Sequence, residues 1–174
     1  MSGRRTCLLC RTADHQRNLV PVRWVGSAPV VGRGAGRGRW FHAACVGLHP
    51  RGLPRLTSGQ PWELVRAPID AWFEAQVLAA LANARRRGGI ALGRRSIAVD
   101  GVVVLASDRR APRWCAPDAT LVLPLSAHAL GGAVGVGPRR AIGVQGVGEA
   151  SARLVSLARA WQSIASSRPP VTAG

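Results

Sequence analysis

Val102-Val103-Val104-Leu105-Ala106 is an apolar run with no polar interruption. A half-exposed strand alternates polar and apolar residues, so a run without alternation predicts a strand buried on both faces, as at the centre of an α/β sheet. Upstream, Phe73, Val77, Ala80, Leu81 and Ala84 recur at spacings that share one helical face. They predict a helix entered at Asp70 as N-cap, with Arg85-Arg86-Arg87 complementing the dipole of its last turn and Gly88-Gly89 stopping it. Downstream, Thr120 to Leu125 and Arg140 to Gln145 predict two more strands. Ser126 opens a short helix through Val134, and Ala150, Leu154, Leu157, Ala158, Trp161 and Ala165 form a final helical stripe. The order helix, strand, strand, helix, strand, helix predicts an α/β sandwich over residues 62–165. Residues 58–61 form a linker ahead of it, and residues 166–174, with Pro169-Pro170, form a disordered tail.

The 174 residues carry 24 basic side chains, every one Arg, against 8 acidic ones, for a net charge of +16. The first 60 residues hold ten of the Arg and a single acid, Asp14, which makes +9 from ten minus one. Such an excess calls for a polyanionic partner. Anionic membrane is disfavoured, because no apolar run approaches the roughly 18 residues of a span and no apolar face or anchor accompanies the charge. A cytoplasmic protein that meets nucleic acid is the expectation. Catalysis is not expected: Asp14, Glu63, Asp70, Glu74, Asp100, Asp108, Asp118 and Glu149 are scattered, explicable as caps or surface groups, and Asp108 fits a cap better than a functional carboxylate. His15, His49 and His128 have no neighbouring nucleophile. Gly131-Gly132-Ala133-Val134-Gly135 lacks the Lys-Ser/Thr ending of a phosphate loop, so no small-molecule substrate is indicated.

In a reducing compartment Cys7, Cys10, Cys45 and Cys115 are thiols or metal ligands rather than disulfides. Cys7-x-x-Cys10 and His42-x-x-Cys45 offer four nitrogen and sulfur ligands in two close pairs, as a tetrahedral structural zinc requires. The competing account is burial of thiols as small core residues. Between the pairs, the glycines from Gly26 to Gly38 predict a loop-like middle. Gly36-Arg37-Gly38-Arg39-Trp40, preceded by Gly32-Arg33-Gly34, can place guanidinium planes and an indole against unpaired bases while glycine lets phosphate approach. The run leads into Trp40-Phe41-His42, which reads as an ordered strand and favours a shaped site over a floppy tail. Arg85-Arg86-Arg87 and Arg94-Arg95, around a Gly-rich turn, offer a second phosphate-binding patch.

Arg5-Thr6-Cys7-Leu8-Leu9-Cys10-Arg11, then Asn18-Leu19-Val20, then Gly36-Arg37-Gly38-Arg39-Trp40-Phe41-His42 with Cys45, resemble the small bacterial YlxR-type proteins. The resemblance implies a basic α/β domain over residues 1–57 that binds RNA, with ribonuclease P or the ribosome among its partners. Leu81 to Gly89, Val104 to Asp108 and Ala129 to Gly135 are similar to the kink-turn-binding ribosomal-protein family. That likeness implies a three-layer α/β/α sandwich over residues 62–165. Together they imply a non-enzymatic RNA-binding adaptor in ribosome assembly, translation or RNA processing. Arg5, Arg11, Arg33, Arg37 and Arg39 would meet phosphates, Trp40 would stack or support the loop, and Arg85, Arg86, Arg94 and Arg95 would extend the surface. The alternative is a zinc-stabilised protein-interaction module whose basic surface meets an acidic protein.

Overall fold

The computed structural model describes residues 3–32, 38–48, 57–93, 101–108, 110, 112–114, 116, 118–145 and 148–166. It is a mixed α/β protein with three sheets among those residues. The chain forms two compact units: the second runs from Phe73 to Ala165, and the first takes the residues before it together with Ser166.

In the first unit, β1 (Arg4–Thr6) and β2 (Ala13–His15) form an antiparallel ribbon with Arg4 opposite His15 and Thr6 opposite Ala13. A second sheet has the order β4-β3-β5, built from β3 (Val20–Val25), β4 (Ala28–Val31) and β5 (Arg39–Phe41). Of the Trp40-Phe41-His42 strand expected from the sequence, Trp40 and Phe41 are in β5 and His42 lies just past it, while the loop expected from Gly26 onward is corrected: Ala28–Val31 is a strand. Gly26, at φ +61°, makes the tight turn after β3. Val30 and Val31 then pair with Arg23 and Val22, so the first glycine marks a hairpin rather than an irregular segment. Leu19, Val20, Val22 and Phe41 are 0–2% exposed and form the core of this unit with Ala43 and Val46. The last two lie on α1 (Ala43–Leu48).

Helix α2 spans Trp62–Arg86. It starts eight residues before the Asp70 expected from the sequence, and Asp70 is an internal residue paired with Arg66 at 3.4 Å rather than an N-cap. Buried Trp62, Val65 and Ile69 extend the stripe of Phe73, Val77, Leu81 and Ala84 backwards at helical spacing. Burial of those side chains carries the helix past Pro68, which removes one backbone donor. At the other end the N–H of Gly89 bonds the Ala84 carbonyl at 2.8 Å and that of Gly88 the Arg85 carbonyl at 3.1 Å. With Gly88 at φ +74°, this is a Schellman stop at the glycines the sequence offered for it.

The second unit holds a four-stranded sheet of order β6-β9-β7-β8, from β6 (Ile90–Ala91), β7 (Val102–Ala106), β8 (Thr120–Leu123) and β9 (Ala141–Val144). β7 is parallel to β8 and antiparallel to β9. Val103 to Ala106 are all buried, as the unbroken apolar run predicts. β6 was not anticipated, being two residues long and too short to show a period. β8 ends two residues before Leu125 because the Ser107 N–H bonds the carbonyls of both Leu123 and Leu125, turning the chain. Helix α3 (Ala127–Ala133) begins at Ser126, whose hydroxyl accepts from the Ala129 N–H at 3.1 Å. Asp108 caps the same helix end by accepting from the Ala127 N–H at 2.9 Å, a capping role met by a helix distant in sequence. A Cβ on Gly131 would fall onto the Gly137 carbonyl, so this glycine serves close packing. Helix α4 (Glu149–Ser166) buries Leu154, Ala158, Trp161 and Ile164. Ser126→Ala should destabilise the protein by about 1 kcal/mol in a denaturant melt, and Ser126→Asp should hold stability within about 0.5 kcal/mol.

Candidate metal centre

Cys7 follows the short β1 strand, and the chain after it folds back sharply. The Arg11 N–H bonds the Cys7 carbonyl and the Cys7 N–H bonds the Thr12 carbonyl, each at 2.9 Å. Arg11 closes this turn at φ +64°, a conformation that costs a non-glycine residue energy and is held here by the two bonds. The turn brings Cys10 back beside Cys7. The second half of the site is built by the start of α1: His42 precedes its first turn and Cys45 lies within it, with the Cys45 N–H on the His42 carbonyl at 3.0 Å. Two backbone contacts join the halves. The Leu8 N–H donates to the Trp40 carbonyl at 2.7 Å, and the His42 N–H donates to the Cys7 sulfur at 3.3 Å.

The three sulfurs and one imidazole nitrogen lie within 4.8 Å of one another. Nδ1 of His42 is 3.4 Å from the Cys10 Sγ and 3.6 Å from the Cys45 Sγ. A tetrahedral zinc about 2.3 Å from sulfur and about 2.05 Å from nitrogen sets those atoms about 3.6 Å apart, so the imidazole stands at ligand spacing. Cys7 is fully buried and Cys45 is 8% exposed, while Cys10 and His42 are half-buried. The far side of the ring is oriented as well: Nε2 of His42 is 3.2 Å from the Asp14 carboxylate. A carboxylate only accepts, so Nε2 carries the proton and Nδ1 turns its lone pair to the sulfurs. The other Asp14 oxygen accepts from the His15 N–H at 2.6 Å and from Asn18 at 3.0 Å. Burial works against the Asp14 carboxylate, yet the hydrogen bonds from Asn18, the His15 N–H and His42 hold its pKa below the ordinary value.

The thiols are not equivalent. Burial opposes ionisation of Cys10, but hydrogen bonds from the Thr12 side chain and backbone, and from Cys7 and Cys45, bring its pKa down to about 6. Burial, then its hydrogen bond with Cys10 and the charges of Cys7 and Cys10, push Cys45 up to about 12. Three sulfurs and one nitrogen at this spacing are a donor set that could hold a divalent cation, which takes thiols in their deprotonated form.

The four ligand residues proposed from the sequence are thus brought together. Asp14 was not proposed, having been grouped with the scattered surface acids. Its signal was its isolation, as the one acid in the first 60 residues. Of the residues expected to meet RNA, Arg5 and Arg11 are exposed and flank the Cys7–Cys10 turn, while Arg39 and Trp40 are half-buried on β5 beside His42. Arg85 and Arg86 are exposed in the last turn of α2, in the second unit. Arg33, Arg37, Arg94, Arg95 and Cys115 lie outside the described residues. Among the described residues no helix is long and apolar enough to cross a membrane. No family model, no curated protein and no solved structure matches the chain.

Proposed function

We propose that the protein is a non-enzymatic, cytoplasmic RNA-binding adaptor of two modules, acting in ribosome assembly, translation or RNA processing. In this reading the N-terminal unit is a YlxR-like domain whose Cys7, Cys10, His42 and Cys45 hold one structural zinc. The second unit is an α/β sandwich of the kink-turn-binding kind, and ribonuclease P and the ribosome are the partners to test first. The observation that carries RNA binding is the engagement of Asp14. The only acid among the first 60 residues faces His42, His15 and Asn18, which leaves the exposed Arg5 and Arg11 beside a site that supplies no further carboxylate. A basic surface so weakly offset draws phosphate by releasing its counterions.

If Arg5, Arg11, Arg33, Arg37 and Arg39 each meet a phosphate, log K against log salt should slope at about −3.5 on single-stranded RNA. The double variant Arg5→Ala/Arg11→Ala should flatten that slope by about 1.4 and weaken all sequences alike. Titrations with labelled RNA between low and physiological salt check both, and salt-independent binding would end the reading. The metal cluster also suits the second reading, a zinc-held module for an acidic protein. Nuclease treatment of the native complex separates the two: RNA-mediated association is lost, and protein-mediated association stays.

A further inference from the structure

We propose that the outer face of the β4-β3-β5 sheet seats one unpaired purine base of RNA, guanine in preference, with Trp40 as the stacking ring and Arg23 as the hydrogen-bonding fork. The inference rests on the RNA-binding reading and adds base selectivity to it. Register divides the side chains of this sheet between two faces. Val20, Val22 and Phe41 share one face and are 0–2% exposed, so that face is the core. Alternation puts Pro21, Arg23 and Val25 on the other, together with Trp40, which pairs with Pro21, and with Val30 and Ala28, which pair with Arg23 and Val25. This second face is open at its hairpin end, where Val25 is 54% exposed and Ala28 is exposed; Trp40, Arg23 and Val30 are half-buried, and Pro21 between Trp40 and Arg23 is buried.

What the open face offers is an indole, small apolar side chains and one cation. Trp40 sits in the middle of β5, where a ring can be covered but not inserted. An anionic bilayer would need the aromatic group at the hairpin tip, where Gly26 and Ser27 stand instead. The cation is the second indication. Nε of Arg23 is buried and makes no hydrogen bond, alone in this among the buried side-chain nitrogen and oxygen atoms of the described residues. An N–H donor shut from water without an acceptor destabilises the placement that holds it, so an acceptor offered at this face draws the guanidinium towards it. Guanine O6 and N7 form the acceptor pair that matches a guanidinium fork, and that edge is open on an unpaired base. The +9 charge of the first 60 residues brings the phosphodiester chain to the same unit.

The test uses the full chain and three dye-labelled probes: all-uridine RNA of about eight nucleotides, a strand of the same length alternating uridine and guanosine, and a blunt duplex. The guanosine strand should bind about tenfold tighter than the all-uridine strand, and Arg23→Gln should cut that ratio to about twofold or less. Trp40→Leu should weaken both single strands about tenfold and leave the duplex within about twofold. Trp40→Phe, which keeps a ring, should retain most single-strand affinity and so separates stacking from a loss of folding. Equal affinity of the unaltered protein for the two single strands would overturn the proposal, as would an equal loss on strand and duplex in Trp40→Leu. Salt-dependent RNA binding that both variants leave intact removes the base seat alone, whereas no binding to any probe removes the RNA-binding reading with it. Capture on phosphatidylserine vesicles that Trp40→Leu abolishes, with RNA binding untouched, would assign the face to a membrane instead.

Discussion

Protein purified without chelator should carry about one equivalent of zinc, and stripping it should collapse the N-terminal unit. Ligation stabilises by mass action: with free zinc a thousandfold above its dissociation constant it contributes about 4 kcal/mol. In a unit of this size that corresponds to about 16–32 °C of melting temperature. Cys7→Ser should approach the full effect, because Cys7 is completely buried and its sulfur also accepts the His42 N–H. Asp14→Asn tests the far side of the ring. It keeps all four ligands and removes the carboxylate that orients His42, so zinc affinity should fall about tenfold to a hundredfold with the stoichiometry unchanged. Elemental analysis, a chelator-competition titration and paired melts supply the readings. Metal-free protein with an unaltered melt would return the three thiols to the role of packing residues.

Trp161→Ala should destabilise the second unit by about 3–5 kcal/mol, measured by denaturant unfolding. Trp161 is 1% exposed and lies on the buried stripe of α4 with Leu154, Ala158 and Ile164. Removing its ring takes away apolar burial and leaves a cavity that neighbouring side chains fill only in part. Trp161→Phe keeps a ring and should cost less than half as much. A loss below about 1 kcal/mol for the alanine variant would show that the ring is dispensable to the core.

The elements that the sequence made legible are those whose own side chains declare a period. β7 announces itself by an unbroken apolar run, α4 by its stripe, and α3 by Ser126 as its cap. The start of α2 was missed because Pro68 and the polar Glu63, Arg66 and Asp70 obscure a stripe that only burial of Trp62, Val65 and Ile69 completes. β1 escaped for the opposite reason: all three of its residues are exposed, so it has no alternation to display. Ala28–Val31 was hidden by the glycine before it, since a hairpin turn and an irregular loop use the same residues and only cross-strand pairing tells them apart. In the metal centre each pair of ligands could be read from its spacing. Their union depends on β5 running beside the Cys7–Cys10 turn, and Asp14 on the return of β2, both tertiary facts without a local signature.

The contact between Leu8 and Trp40, described above as a link between the two halves of the site, also orders events in time. Within the first half, Cys7 to Thr12 is closed by neighbours and needs no distant partner, so it can form within a short loop-closure time. The second half, at His42 and Cys45, is equally local. Their meeting shuts a long loop, and the chain entropy of that closure is offset in part by the pairing of β5 with β3 inside it. During synthesis the N-terminal turn emerges first and waits with two thiols exposed until Cys45 has left the ribosome. On this topology the unit should mature at the rate of loop closure rather than at that of either turn.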